Sequence, residues 1–257
     1  MKEEIKNNRT FMHCPSFADS MFESDQKNGV TPPAFDSTIT GDFIELSAFE
    51  MTYENITLPS YIDLLDERRS RRVYSDEAIT QEQLAFMLWS AGGIQRLSGP
   101  STLRPVASGG ARHPFDYYFA VTNVEGLEPG FYHYVPTKNI GEKKVTIERL
   151  GPLFDDYENN MNDLVVGQKW VTNAPVVLFV SCVPYRAEWR YSDASHRVML
   201  IDLGHIGQNL MLSATAMGLG SCCIAAYDQK KCDDTFSFNG VDEYTVYVLP
   251  FGNLKEN

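Results

Sequence analysis

Long hydrophobic runs and positive charge are both scarce in this sequence of 257 residues. No stretch approaches the roughly 20 apolar residues that cross a bilayer, and the N-terminal MKEEIKNNRTFMHC lacks the apolar run of a signal peptide. The 22 Lys and Arg residues are outnumbered by 34 Asp and Glu, so the formal net charge is −12. Such a charge argues against nucleic acid and against anionic membranes as partners, and we expect a cytoplasmic protein.

Several cysteine and glycine motifs that would define a chemistry are missing as well. The five cysteines are odd in number, Cys222 and Cys223 are adjacent, and no CxxC or Cys/His group has the spacing of metal ligands. We therefore expect neither a disulfide framework nor a metal site. No G-x-G-x-x-G motif follows a strand, which argues against a dedicated dinucleotide-binding domain. A chain of this length can bury a sufficient core without such additions.

Hydrophobic periodicity predicts helices at four places and strands at five. The helices are expected at 61–69, from the Thr80 cap to the Gly92-Gly93 stop, within 153–168 and at 197–217. The strands are expected in PFDYYFAVTNV, GFYHYVP, KKVTIERL, APVVLFVSCV and YTVYVLPFG. GFYHYVP and KKVTIERL are predicted to form a hairpin, whereas the short apolar run APVVLFVSCV is typical of a central strand. Hairpins mixed with long helical crossovers indicate an α+β sheet on which helices pack.

The first 60 residues differ from the rest. They contain turn-forming and polyproline material such as SDQKNGVTPPAF, and their apolar residues follow no long period. We interpret residues 1–60 as an extension that wraps over the domain or over a partner subunit, and residues 61–257 as the folded domain.

The predicted helix 197–217 carries polar residues in apolar surroundings. Apolar side chains recur on more than one side, so we expect the helix to be enclosed. A polar stripe nevertheless runs along it, formed by Asp202, His205, Gln208 and Asn209. Buried polar groups are costly without partners, so this stripe must meet backbone, a subunit or a ligand. Gly204 and Gly207 would let another element approach closely, and Gly218 and Gly220 would end the helix.

The segment ERRSRRVY concentrates positive charge in an otherwise acidic chain. Its members are Arg68, Arg69, Ser70, Arg71 and Arg72. Guanidinium groups match phosphate oxygens in pairs, so the segment could hold a phosphate. A solvated helix C-terminus, where cations meet the helix dipole, is an equally good interpretation of the residue types alone.

The segment VASGGARHP allows a flat ligand to come close. Ser108 offers a hydroxyl, and Gly109 and Gly110 leave room for a planar ring, although a simple Gly-Gly turn is the commoner explanation.

The segment GLGSCCIAAYD contains two adjacent cysteines, Cys222 and Cys223. They could be redox-active, but free cysteine is more often buried and inert.

Taken in order, six blocks of the chain resemble the nitroreductase superfamily, and specifically its SagB/thiazoline-oxidase branch. The blocks are ERRSRRVYSDEAIT, RPVASGGARHPFDYYFAV, VEGLEPGFYHY, WRYSDASHR, LGHIGQNL and GLGSCCIAAYD. The resemblance covers about residues 60–252. It implies an FMN-dependent oxidoreductase with a nitroreductase-like fold: a central, mostly antiparallel sheet flanked by helices, built as an intertwined homodimer with the flavin at the interface.

The resemblance also implies which residues bind the flavin. Arg68, Ser70 and Arg72 match the phosphate motif, with Arg69 beside them, whereas Arg71 is expected to point elsewhere. Ser108, Gly109 and Gly110 would lie along the ribityl chain and the ring, and Ala225 and Ala226 would offer a backbone N–H near flavin N5. Gln208 of the polar stripe joins this set. The chain departs from the family pattern at Ala107, Gly109 and Ala225, where Pro, Ala and Gly are usual.

Arg190 and Tyr191 are the candidates for catalysis. In the azoline dehydrogenases, a Lys-Tyr pair at this place is thought to remove a proton while the flavin takes hydride. Tyr191 matches, but Arg190 replaces the lysine. An arginine stays protonated, so it cannot be a general base, yet it can bind a carboxylate. The alternative is a strand-end Trp-Arg-Tyr that packs on a dimer partner.

Three functions are compatible with these residues. The first is a nitroreductase-type enzyme that passes hydride through flavin N5 from NAD(P)H or an organic donor to a small organic acceptor, with NAD(P)H docking only transiently. The second is oxidation of azoline rings in a modified peptide. The third is a flavin-binding carrier or sensor without turnover.

Overall fold

The computed structural model describes residues 9–13, 23–37, 39, 41–49 and 60–255. Six α-helices lie in this part of the chain: α1 (Tyr61–Glu67), α2 (Gln81–Gly92), α3 (Tyr157–Leu164), α4 (Tyr185–Tyr191), α5 (Ser195–Ala216) and α6 (Gln229–Phe236). It also contains nine strands: β1 (Asp42–Glu45), β2 (Arg96–Ser98), β3 (Ser101–Leu103), β4 (Phe115–Val121), β5 (Gly130–Tyr134), β6 (Thr146–Gly151), β7 (Val176–Cys182), β8 (Leu219–Ser221) and β9 (Tyr244–Asn253). None of these helices has the length and apolar character needed to cross a bilayer.

Seven of the strands form one sheet in the order β1-β6-β5-β4-β7-β9-β8, and every pairing is antiparallel. The predicted hairpin is β5 and β6, with Tyr134 opposite Ile147. The predicted central strand is β7, which lies between β4 and β9 and is buried along its whole length. The remaining strands, β2 and β3, form a separate hairpin that the sequence did not predict.

Helices cover both faces of the sheet because the side chains of each strand alternate. On one face, Leu178 of β7 belongs to a core with Leu88 of α2 and Leu210 of α5. On the other face, Phe179 belongs to a core with Met161 of α3 and with residues of α6. The expected α+β fold, an antiparallel sheet flanked by helices, is therefore confirmed.

Helix α2 begins and ends where the sequence predicts. The hydroxyl of Thr80 accepts a 3.1 Å hydrogen bond from the backbone N of Gln83, and Gln83 Oε1 accepts a 2.9 Å bond from the backbone N of Thr80. This reciprocal cap contributes about 1 kcal/mol. At the other end, a Cβ on Gly92 would lie 2.4 Å from the Tyr117 ring, so only glycine fits against β4.

Helix α1 ends two residues before its predicted end. Arg68 has φ −55° and ψ 119°, so the chain leaves the helix there and continues extended. Ser70 then forms a parallel bridge with Ser221 of β8, and the backbone N of Arg71 donates a 2.9 Å hydrogen bond to the Ser221 oxygen. The arginines therefore follow the sheet edge instead of crowding the end of a helix.

Helix α5 is long, as predicted, and Gly218 after it has the expected left-handed φ of +70°. The prediction that it is enclosed is wrong for the single chain. Leu200 is 54% exposed and Ile201 47% exposed, and no atom lies within 4 Å of a Cβ built on Gly204. The sheet and helices α1, α2 and α4 pack against α5, and they leave Leu200, Ile201 and Gly204 exposed in the single chain.

Candidate active site

Asp202 of α5 holds the loop between β3 and β4, which carries Ser108, Gly109 and Gly110, the predicted contacts of the flavin ring. Its carboxylate accepts a 2.7 Å hydrogen bond from the Ser108 hydroxyl and 3.0 Å bonds from the backbone N of Gly109. Burial raises the pKa of Asp202, and these hydrogen bonds act in the opposite direction. The Ser108 oxygen also accepts a 3.0 Å bond from the backbone N of His113. Ser108 thus donates one hydrogen bond and accepts another inside the chain.

The rest of the polar stripe meets backbone too, with one exception. His205 Nδ1 lies 3.2 Å from the Ala107 oxygen, and Asn209 Nδ2 donates a 3.0 Å bond to the Ser90 oxygen at α2. Gln208 is exposed, and its side chain forms no hydrogen bond to the described residues. The sequence predicts that this stripe meets backbone, a subunit or a ligand. Asp202, His205 and Asn209 all have backbone partners.

The loop and the end of α4 press against each other at Gly110. This residue has φ +58°, and a Cβ on it would lie 2.5 Å from both Arg190 Nε and Tyr191 Oη. Nearby, Ala111, His113 and Ser192 have φ values of 52°, 45° and 49°. They are three of the five non-glycine residues with positive φ in the described chain, and such strain is typical of functional sites.

Arg190 and Tyr191 end a helix, so their interpretation as the end of a strand is wrong. The strained Ser192 turns the chain directly after them, before α5 begins. The Arg190 guanidinium lies 5.5 Å from the Tyr191 ring centre, and its Nη1 donates a 3.0 Å hydrogen bond to Gln26 Oε1. The structure thus brings both catalytic candidates to the loop with Gly110.

The arginine segment divides into two sides because an extended backbone alternates its side chains. Arg69 and Arg71 line one cavity of about 280 Å³ together with Thr215 and Leu254. On the other side, Arg72 lies 5.6 Å from the centre of the Trp170 ring. Arg68 lies close enough to Cys223 for its positive charge to lower the pKa of that thiol, against the larger effect of burial. Arg69, which the sequence predicts beside the phosphate residues, lines this cavity with Arg71.

The GLGSCCIAAYD segment continues from β8 to the exposed Ala225 and Ala226. Ile224 fixes it to β9 through paired backbone bonds with Val248, and Gln168 Nε2 donates a 2.8 Å bond to the Ala226 oxygen. Burial raises the pKa of the Cys223 thiol to about 11, so the thiolate is disfavoured at neutral pH. This favours the structural interpretation of the cysteine.

The predicted flavin residues form two groups: the loop half, with Ser108, Gly109 and Gly110, and the strand half, with Arg68, Ser70, Arg72, Ala225 and Ala226. Within one chain, these two halves lie on opposite sides of α5. The loop half contacts Val198, whose Cγ1 would be 2.4 Å from a Cβ on Gly109. The strand half contacts Gly207, where a Cβ would meet Cys223 Sγ at 3.3 Å and the Tyr247 ring at 2.9 Å. Nine residues at about 100° each place Val198 and Gly207 on opposite faces of the helix.

Two residues at this site were not predicted from the sequence. Gln26, in the N-terminal segment, reaches Arg190 from a stretch without any periodic pattern, so no local signal identifies it. Arg112 stacks on Trp189 at 4.6 Å and is buried. It lies within RPVASGGARHP, and an arginine in a glycine-containing block of an acidic chain is a signal by which the sequence indicates it.

Residues 65–253 match the family model for the nitroreductase family, so the chain belongs to that family. A protein named as a nitroreductase in Methanocaldococcus jannaschii is 29% identical over 194 residues, which cover 76% of this chain and 91% of the relative. The trifolitoxin-processing protein TfxB of Rhizobium leguminosarum bv. trifolii is 33% identical, over 48% of this chain and 32% of its own. The microcin B17-processing protein McbC of Escherichia coli is 24% identical, over 61% and 57%.

Solved structures agree on the fold. A nitroreductase from Anabaena variabilis superposes with a TM-score of 0.59 at 23% identity, covering 86% of this chain and 45% of its own. The E. coli microcin synthetase McbBCD complex, with truncated pro-MccB17 bound, gives 0.58 at 18%, covering 100% and 95%. A nitroreductase from Desulfovibrio desulfuricans in complex with FMN gives 0.51 at 15%, covering 78% and 89%. The expected nitroreductase-like fold is therefore confirmed.

Proposed function

We propose that this chain is an FMN-dependent oxidoreductase and that the flavin lies between two copies of it. The observation that carries the proposal is the position of the two predicted half-sites on opposite sides of α5. One flavin cannot contact both halves of a single chain when the helix stands between them. A second copy, paired through α5, would bring its loop half to the strand half of the first.

The exposed side of α5 suits such a pairing. Leu200 and Ile201 present apolar surface there, and Gly204 leaves the helix backbone open to close approach. Covering this surface would remove large apolar side chains from water, at about 25 cal/mol per Å² of apolar area. The proposed dimer thus explains why a helix with an apolar outer side carries a glycine in the middle of that side.

The residues of the strand half suit the flavin phosphate. None of the ion pairs between described residues involves Arg68 or Arg72, so their charges are available to an anion. Ser70 adds an exposed hydroxyl between them. The dianionic phosphate of FMN is the group that such a set holds best. Arg69 is left out because it lies on the other side with Arg71.

The loop half would border the flavin ring. The Gly109–Gly110 backbone is held by Asp202 and leaves no space for a side chain. When bound, FMN would accept and donate hydride at N5. A backbone N–H of Ala225 or Ala226 from the strand half would donate a hydrogen bond to that atom. Tyr191, beside Gly110, would move the substrate proton through its hydroxyl. Arg190 stays charged, so it would not accept a proton but would donate hydrogen bonds to an anionic group.

A second candidate function is oxidation of azoline rings in a modified peptide. Its support is the similarity to proteins named for processing trifolitoxin and microcin B17, together with the match of Tyr191 to the tyrosine of the azoline dehydrogenases. Arg190 in place of lysine favours the small-molecule reaction instead. A flavin carrier without turnover is the third candidate, and substrate-dependent reoxidation of the reduced flavin separates it from both enzymes.

The first experiment is to purify the chain, release the cofactor by heat and identify it by HPLC. FMN is expected, and the yellow protein should be reduced by NADH or NADPH and reoxidised by nitroaromatic or quinone acceptors. Light scattering should give the mass of a dimer. FAD alone, or no flavin after reconstitution with FMN, would overturn the proposal.

A further inference from the structure

A turn of the N-terminal segment, residues 24–30, is hydrogen-bonded to helix α4. Backbone bonds from Asn28 to Ser24 and from Val30 to Asp25 close the turn. It is tied to α4 by a 2.9 Å bond between the backbone N of Gln26 and the Trp189 oxygen, and by a 2.9 Å bond from Trp189 Nε1 to the Val30 oxygen.

Gln26 is therefore fixed in front of Arg190 by its own backbone. Its side-chain oxygen accepts the 3.0 Å hydrogen bond from Arg190 Nη1. Arg190 Nε is buried and has no acceptor, and no described residue accepts from Nη2. With Nη1 occupied and Nε covered by the packing of Gly110, Nη2 is the group of the guanidinium that is left to donate a charged hydrogen bond to an anion.

Two arginines lie close together at this place, and neither forms an ion pair with a described residue. Arg112 lies close enough to Arg190 for the two charges to lower the pKa of Arg112, after the larger effect of its burial. The Arg112 N–H groups donate to the Arg186 and Pro100 backbone oxygens, at 2.8 and 2.7 Å, and not to a carboxylate. Across residues 23–37 and 60–255, neither Arg112 nor Arg190 is in an ion pair, whereas Arg186 is paired with Asp116.

We propose that Arg190 binds a carboxylate of the substrate through Nη2, with Gln26 as the positioning residue that holds the guanidinium beside Tyr191. The buried Arg112 adds charge behind it without touching the substrate. This rests on the proposed function, since it takes Gly110 and Tyr191 to border the flavin. The substrate class is then a small organic acid, whose anionic group is held beside the flavin while its reactive group meets N5.

Two pairs of probes that differ only in charge test the proposal. Benzoate and benzamide are titrated into the purified protein by calorimetry, without any electron donor. 4-Nitrobenzoate and 4-nitrobenzamide are then compared as acceptors by their KM values. Wild type should prefer each acid by about tenfold, the ratio expected when a charged hydrogen-bonded pair contributes about 1.4 kcal/mol. Arg190→Gln should abolish the preference.

Gln26→Glu separates positioning and charge from a purely structural role. Glutamate keeps the acceptor oxygen and the turn, but it neutralises Arg190, so the preference for the acid should disappear while the melting temperature stays near that of wild type. A structural role alone would leave the preference of this variant unchanged. Gln26→Leu removes the acceptor and should reduce the preference by a smaller factor.

Arg72→Ala is the matched control, because it removes an arginine from the other half-site. It should lower the flavin content and leave the ratio of benzoate to benzamide affinity unchanged. A colourless wild-type protein that still prefers benzoate through Arg190 would contradict the proposed function alone. Equal binding of acid and amide by the flavin-loaded wild type, or an unchanged preference in Gln26→Glu, would overturn the carboxylate site.

Discussion

The Ser108 hydroxyl donates a 2.7 Å hydrogen bond to Asp202 while accepting one of 3.0 Å from the backbone N of His113. One serine thus joins the loop to α5 and closes the loop on itself. The resemblance assigns this hydroxyl to the flavin ribityl chain. We instead expect the flavin contacts of this loop to come from the Gly109–Gly110 backbone, with Ser108 holding that backbone in place.

Ser108→Ala should therefore destabilise the fold. It removes a partner of the Asp202 carboxylate and of the His113 N–H, and leaving buried polar groups unpaired costs about 1–3 kcal/mol. Denaturant unfolding measures the loss. Ser195→Ala is the control, since the Ser195 hydroxyl is buried at the start of α5 but has no hydrogen-bond partner among the described residues. Equal losses in the two variants would contradict the anchoring role of Ser108.

His113 should make this loop sensitive to acid. Burial, followed by the charge of Arg104, lowers the pKa of His113 from 6.5 to about 3. The folded state therefore favours the neutral ring. The stability that this contributes is complete above pH 6.5 and is lost as the pH falls toward 3, with a limiting slope of about 1.4 kcal/mol per pH unit.

His113→Asn tests this, because asparagine tolerates the φ of 45° but does not titrate. Between about pH 7 and pH 5, wild type should lose roughly 2 kcal/mol of unfolding free energy that the variant does not lose. Unfolding curves across this range provide the comparison. Parallel pH profiles would show that His113 does not titrate against folding.

Arg72→Ala should weaken FMN binding by roughly 10- to 100-fold, the range expected for losing about 1.5–3 kcal/mol from a charged hydrogen bond. Arg69→Ala and Arg71→Ala should have little effect, because both residues line the cavity on the other side of the extended chain. Fluorescence titration with FMN measures all three. A loss as large in Arg69→Ala would restore that residue to the phosphate site.

Tyr191→Phe keeps the ring and removes the hydroxyl. If Tyr191 transfers a proton, turnover of a substrate oxidised at a carbon–hydrogen bond should fall by about 10²-fold, while flavin content and melting temperature stay near wild type. Nitro or quinone reduction should suffer little, because water can supply protons in an open cleft. A destabilised dimer with every activity intact would make the residue structural.

Arg190→Lys restores the pair found in the azoline dehydrogenases. A gain of azoline oxidation on a modified peptide, measured by the loss of two hydrogens in mass spectrometry, would favour the peptide-modifying reaction over the small-molecule one.

Local patterns predicted most of the sheet and of the helices. The apolar run of β7 and the capping box of Thr80 and Gln83 depend only on residues that are close in sequence, so they could be predicted without knowledge of the fold. The exposed side of α5 could not, because periodicity shows that a face is apolar but not which chain covers it. The side of the chain on which Arg69 lies could not be predicted either, because α1 ends two residues before its predicted end and the backbone is extended from there.

The contact between Gln26 and Arg190 lies furthest beyond sequence reasoning. It joins residues 164 positions apart, and one of them stands in a segment without a periodic pattern. By contrast, the residues proposed to bind the flavin were predicted from their similarity to family motifs, and in the structure they form two groups on opposite sides of α5.

The most direct test of a flavin site shared between two chains is the FMN content of a mixed dimer. Arg72→Ala damages the strand half, and Gly110→Leu fills the loop half, so each variant alone should bind FMN poorly. A heterodimer isolated with two affinity tags would have one doubly damaged site and one intact site, and we predict one FMN per heterodimer. The control pair, Arg72→Ala with Arg68→Ala, damages the same half in both chains and should recover none. If the first heterodimer also recovers no FMN, each site lies within one chain, and the account is wrong.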